Sequence, residues 1–183
     1  LRAPNREIEI PSEMSFETPP IPAAGKCEVV CFTSNYESSF KDLSDRQIRT
    51  VLEAWRDRVS ELSQIDYIEH IAPFENRGEE VGVTLAHPHG QIYAYPYLPP
   101  RTEKMLAVAL AHKSKTGRVL QDDVIAREIE DGVRIVAENE EWLAYVPFAA
   151  RYPFEIHVSP KKSVANLVEL TEAACEKFSP IAR

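Results

Sequence analysis

The sequence predicts an α+β protein made of two related units with antiparallel sheets and packed helices, the second unit cut short. Three observations carry that prediction. Short β-branched and apolar runs alternate with longer stretches whose apolar residues recur at helical spacing. The first part reads strand, helix, strand, strand, and the second adds a hairpin, a further strand and a helix. The second part thus repeats the first in outline, without residue-level identity, which two units describe better than one continuous sheet. The division falls at residues 1–115 and 116–183.

Each element follows from its residues. Residues 1–26 are proline-rich with little periodicity and read as an extended arm or loop. CEVVCFT, 27–33, is short and β-branched, hence a strand. Ser44 and Gln47 have capping-box spacing, and Ile48, Val51, Leu52, Trp55, Val59 and Leu62 recur at helical intervals, predicting an amphipathic helix of about 20 residues. YIEHIAPFEN, 67–76, reads as a second strand, and a loop carrying Gly78 leads through VGVTLA to a third, HPHGQIYAY. A helix over 101–115 and the polar linker KSKTGR follow. Then come a helix in DDVIAREIEDG, a hairpin in GVRIVAENEEWLAYVPF, a strand in YPFEIHVSPKK and a helix opened by Thr171.

Composition narrows the function. Among 183 residues, 44 % are hydrophobic and 27 % charged, ordinary for a protein with a real core. Lys plus Arg number 21 against 29 Asp plus Glu, a net charge of −8 without a basic run, so nucleic acid is not an expected partner. Three cysteines, Cys27, Cys31 and Cys175, form no CxxC pair or disulfide framework, which suits a reducing compartment, and Cys27 and Cys31 are expected to be buried thiols. No apolar segment approaches the roughly 18 residues of a membrane span, and the N-terminal stretch does not read as a signal peptide. A cytoplasmic location is expected.

The stretch HPHGQ, 87–91, breaks the rules of an ordinary strand. On a strand His87, His89 and Gln91 share one face, while Pro88 and Gly90 weaken the ladder. A metal site would need further ligands, and the other histidines, His70, His112 and His157, read as hydrogen-bonded or surface residues. A general base would need a Ser or Cys nucleophile that is not recognisable. The remaining chemistry is a neutral imidazole attacking phosphorus and carrying the phosphoryl group, with the Gln91 amide donating to a non-bridging oxygen. Tyr93 shares that face, Tyr95 and Tyr97 read as packing residues, Trp55 as core, and ENEE, 138–141, as a solvated turn.

The segment ENRGEEVGVTLAHPHGQIYAYPYLP resembles the active-site segment of galactose-1-phosphate uridylyltransferases, a branch of the histidine-triad superfamily. The resemblance extends upstream through CEVVCFTSNYESSFKDLSDRQIRTVLEAW and downstream through EIEDGVRIVAENEEWLAYVPFAARYPFEIHVSPKK. It implies that His89 takes UMP from UDP-glucose and passes it to galactose 1-phosphate. Gln91 would replace the third histidine of the hydrolytic branch, favouring transfer. Asn76, Gly82, Val83 and Thr84 match positions that contact nucleotide phosphates, and the His87 carbonyl would orient the nucleophile's ring. The family also implies a homodimer.

The same resemblance bears on metals. The transfer requires no cofactor. His87 matches a structural zinc ligand of some members, but Tyr36 stands where they carry another histidine and the upstream cysteine pair has no counterpart, so an intact zinc site is not expected. Met105 falls near the place of a glutamate that helps hold iron, and iron is not expected either. Two alternatives stay open: an AMP-transferring phosphorylase of the same superfamily, and a non-catalytic nucleotide-binding subunit.

Overall fold

The computed structural model describes residues 24–183 apart from Thr84 and Ala86; the arm expected over 1–26 therefore lies, up to residue 23, outside the described residues. The elements run β1 (Lys26–Cys31), α1 (Asp45–Leu62), β2 (His70–Phe74), β3 (His89–Tyr95), α2 (Pro100–Thr116), α3 (Leu120–Asp131), β4 (Ile135–Glu138), β5 (Trp142–Tyr145), β6 (His157–Pro160) and α4 (Glu172–Ala182). The α+β class holds, with two three-stranded antiparallel sheets. Their topologies differ: the first is ordered β1-β3-β2, with the last strand at its centre, and the second is a plain meander, β4-β5-β6.

Helix α1 organises both layers. Ser44 and Gln47 close the capping box read from the sequence, satisfying backbone donors at the helix start. Of the apolar stripe, Ile48, Val51, Leu52, Val59 and Leu62 are buried. Val51 and Ile48 join Phe32 and Leu43, and Leu62 joins Ile92 and Ala94 of β3, so the stripe covers one face of the first sheet. Leu52 instead meets Trp142, Leu170, Ala174 and Cys175, binding α1 to β5 and α4. Inside that cluster the Trp142 indole donates to the Ala174 carbonyl at 2.7 Å. Arg56 donates to the Leu167, Val168 and Leu170 carbonyls, and so fastens the chain entering α4.

Among the described residues, no helix covers the other face of the first sheet. Along β1 every second residue is exposed, and these are Cys27, Val29 and Cys31, opposite Tyr93, Gln91 and His89 of β3. The expectation of buried thiols at 27 and 31 is thus overturned: the two do share a face, but α1 covers Val30 and the Glu28–Arg58 ion pair on the opposite one. Cys175 is the buried thiol. Trp55 packs edge-on to Phe32 in the core, and Asn139 caps the turn before Trp142 within the ENEE segment. Among the described residues, no helix is long and apolar enough to cross a membrane.

Candidate active site

The end of the sheet where β3 begins is opened by its sequence. Pro88 has no N–H to give the ladder, and its carbonyl accepts from Phe32 N at 3.0 Å as β1 ends. The strand therefore starts at His89 rather than at His87, which sits in the bend before it. From His89 on, the expected alternation is present: His89, Gln91, Tyr93 and Tyr95 are half-buried on the uncovered face, and Gly90, Ile92 and Ala94 are buried against the core.

Gly90 is there because nothing larger fits. A Cβ at that position would lie 2.8 Å from the Phe32 ring and 3.2 Å from the Phe74 carbonyl. The absence of a side chain lets β1, β2 and the Phe32 ring close on the strand immediately beside His89. On the other side of the opening, the chain leaves β2 through Glu75 to Gly78, makes one 3-10 turn at Glu79–Val81 and ends it at Gly82, whose φ of 77° is a left-handed value that glycine adopts freely.

Together these segments enclose a pocket of about 300 Å³ lined by Asn76, Val83, His87 and His89 among others. Of the residues singled out from the sequence, these four come together there. Gln91 lies on the same sheet face two residues beyond His89, outside the lining, and Gly82 shapes the loop behind Val83. Thr84 lies outside the described residues.

Within the pocket the tautomer of His89 is fixed by geometry. Its Nδ1 is 2.7 Å from the His87 carbonyl oxygen, which can only accept, so Nδ1 carries a proton and in the neutral ring the lone pair lies on Nε2. Gln91 is fixed as well: the Tyr93 hydroxyl donates to its Oε1 at 3.1 Å, which leaves the amide NH₂ as the free donor end. Tyr93 is in turn held edge-on by Phe74.

Charge in the pocket comes from residues the motif did not flag. Glu75 and Arg77 flank Asn76 in the lining, with Ser38 and Ser39 beyond them. Burial pushes the half-buried Glu75 carboxyl above the ordinary carboxylate value, against the pull of the nearby Arg77 charge. Asp42 is held below its ordinary value chiefly by the Ser39 hydroxyl, with Lys41 and Arg77 adding to it. The signal available in the sequence was a pair of opposite charges around Asn76, one turn of chain from a glycine.

Among the described residues, no three His, Cys, Asp or Glu side chains come together as a ligand cluster. Tyr36 is exposed, and Met105 stands in solvent on α2. The remaining histidines have other partners: His112 meets Asp123 at 2.7 Å, His157 meets Glu155 at 3.0 Å, and His70 stacks on Tyr95. The pocket thus offers an imidazole with an unshared nitrogen pair, an amide and a guanidinium, a set suited to attack on a phosphorus centre and to holding its anionic oxygens.

Comparison with known proteins bears directly on this site. Residues 4–99 match the galactose-1-phosphate uridyl transferase N-terminal domain and residues 106–182 the C-terminal domain. A galactose-1-phosphate uridylyltransferase of Streptomyces lividans is 50 % identical over 158 residues, covering 86 % of this chain and 45 % of that protein. One of Thermotoga maritima is 40 % identical over 157 residues, covering 86 % and 49 %. A solved uridylyltransferase structure superposes with a TM-score of 0.84 at 32 % identity, covering 88 % of this chain and 52 % of the other. The chain therefore spans about half the length of the relatives it matches. With both domain models matched in order along nearly the whole sequence, the chain belongs to the galactose-1-phosphate uridyl transferase family.

Proposed function

We propose that this chain transfers UMP from UDP-glucose to galactose 1-phosphate through a covalent uridylyl intermediate on His89. The observation that carries the reading is the 2.7 Å contact from His89 Nδ1 to the His87 carbonyl, which fixes the nucleophilic tautomer without a second side chain. The names of the relatives supply galactose 1-phosphate and the uridylyl group, and UDP-glucose is the donor we propose. Nε2 attacks the uridine-bearing phosphorus, the bond to the bridging oxygen breaks, and glucose 1-phosphate leaves with the electron pair. A sugar phosphate is a good leaving group and needs no proton from the protein. Galactose 1-phosphate then attacks the same phosphorus and takes the UMP. Gln91, neutral in both half-reactions, donates from the amide end that Tyr93 leaves free, and Arg77 and Asn76 face the phosphate oxygens.

The scheme draws on no cofactor, metal or nucleic acid. We further propose that residues 1–115 and 116–183 act as two units, supported by the separate sheets, and that the protein works in the cytoplasm as a homodimer. The exposed Met105, Leu106, Val108 and Leu110 of α2 offer a surface for pairing. Sedimentation of the chain should give a dimer mass, and a monomer at micromolar concentration would remove that part of the reading.

The assay for function is formation of UDP-galactose from UDP-glucose and galactose 1-phosphate, with ADP-glucose as the competing donor. The parent should form product and His89→Gly should lose at least roughly 10³-fold in rate. Turnover of ADP-glucose alone would move the assignment to AMP transfer, and binding of UDP-glucose without turnover would make the chain a nucleotide-binding subunit.

A further inference from the structure

We infer that Glu75 is the counter-charge for His89 in the transfer: its carboxylate balances the positive charge that the imidazole ring acquires when Nε2 bonds to phosphorus. The inference rests on the uridylyl-histidine reading above and deepens it. Three observations carry it. Glu75 and His89 line the same pocket of about 300 Å³. They reach it from adjacent strands, Glu75 directly following Phe74 at the end of β2 and His89 opening β3. Glu75 is half-buried, where water screens its charge less than at an open surface.

The charge balance defines the role. Before attack the ring is neutral, with its proton on Nδ1 toward the His87 carbonyl. As Nε2 forms its bond to phosphorus and the phosphorus–oxygen bond to glucose 1-phosphate breaks, the proton stays on Nδ1 and the ring becomes cationic. Among the described residues the partner of that proton is a carbonyl oxygen, which is no base, so the charge has to be balanced through space. Arg77 and His87 offer no negative charge. Glu79 lies on the exposed 3-10 turn, whereas Glu75 is half-buried in the lining it shares with His89.

A carboxylate in a pocket for an anionic substrate opposes binding in the ground state and helps only as the ring charges. Its contribution should therefore appear in the rate of loading rather than in affinity, which makes it a transition-state interaction. Arg77, adjacent to it in the chain, offsets the repulsion of the incoming phosphates. Glu75 acts through His89 and is a positioning group for charge, not a group bonded to substrate.

The test is single-turnover loading of UMP from saturating UDP-glucose, followed by intact mass, in the parent, Glu75→Gln and Glu75→Asp. Glu75→Gln should load roughly 10- to 100-fold more slowly, the range a nearby counter-charge supplies at an effective dielectric constant of about 20. Its half-saturation for UDP-glucose should be unchanged or lower, and Glu75→Asp should recover part of the rate. Thermal unfolding of Glu75→Gln at or above the parent's midpoint separates lost chemistry from lost fold. Loading of Glu75→Gln within twofold of the parent overturns the inference, as does a raised half-saturation with an unchanged rate, which would place Glu75 in substrate binding. A parent that takes up no UMP overturns the underlying uridylyl reading, whereas a parent that loads beside an equally fast Glu75→Gln overturns the role of Glu75 alone.

Discussion

Replacing Gly90 by alanine should strain the strand that carries His89, and the geometry sets how much. The added Cβ would meet Phe32 Cζ at 2.8 Å and Cε1 at 3.0 Å, where carbon atoms prefer about 3.5–4.0 Å. The ring cannot easily retreat: Phe32 is 6 % exposed and held edge-on between Phe40 and Trp55, with centroids at 5.5 and 5.9 Å. Overpacking of this kind costs about 1–3 kcal/mol, while alanine recovers roughly 0.5–1 kcal/mol of backbone entropy. The net loss should be about 1–2 kcal/mol, a fall of roughly 0.5–1 M in the urea midpoint at an ordinary slope. A double-mutant cycle with Phe32→Leu isolates the clash, since the smaller side chain makes room for the methyl group. The two changes together should cost at least about 1 kcal/mol less than the sum of the single changes. Additive losses, within about 0.5 kcal/mol, would refute the claim that the Phe32 ring is what demands a glycine beside the nucleophile.

Other perturbations probe the packing and the site separately. Burial raises the Glu75 carboxyl, so the stability tied to its protonated form is present below its ordinary value of 4.5 and is lost as pH rises through the folded value. Glu75→Gln should therefore melt higher than the parent near neutral pH, with the gap closing below about pH 4; a gap independent of pH would show that burial of the charge is not its cause. Trp142→Phe removes the indole donor to the Ala174 carbonyl and should cost about 1–3 kcal/mol in chemical denaturation, a loss under about 0.5 kcal/mol contradicting the role given to that bond. Tyr93→Phe releases the Gln91 carbonyl oxygen and should slow turnover at saturating substrate roughly two- to tenfold with little change in KM; an unchanged rate would mean that the orientation of the amide is not set by Tyr93.

What could be read from the chain was what local chemistry decides. The capping box at Ser44 and the stripe from Ile48 to Leu62 place α1 because both signals lie within the helix itself. The alternation from His89 to Tyr95 was legible for the same reason. The start of β3 was not: the spacing of His87 and His89 suggests one strand, but whether Pro88 continues a ladder depends on the residue after β1, Phe32, whose N–H donates to the Pro88 carbonyl. The cysteines of β1 show the limit of a two-residue pattern. KCEVVC puts Cys27 and Cys31 on one face and Glu28 and Val30 on the other, with nothing local to say which face α1 covers; the answer lies in Arg58, which draws Glu28 inward. The candidate site divides in the same way. His89 and Asn76 were named because the HPHGQ and FEN segments are distinctive, whereas Glu75 and Arg77 enter the pocket only through the pairing of β2 with β3, a contact between distant parts of the chain.

The central claim is that His89 carries the transferred group, and intact-protein mass spectrometry after brief incubation with UDP-glucose alone tests it most directly. Acid is avoided throughout, because a phosphorus–nitrogen bond is acid-labile. The account predicts a gain of one UMP in the parent and none in His89→Gly. A folded parent without the adduct, or a His89→Gly protein that still gains it, would contradict the account.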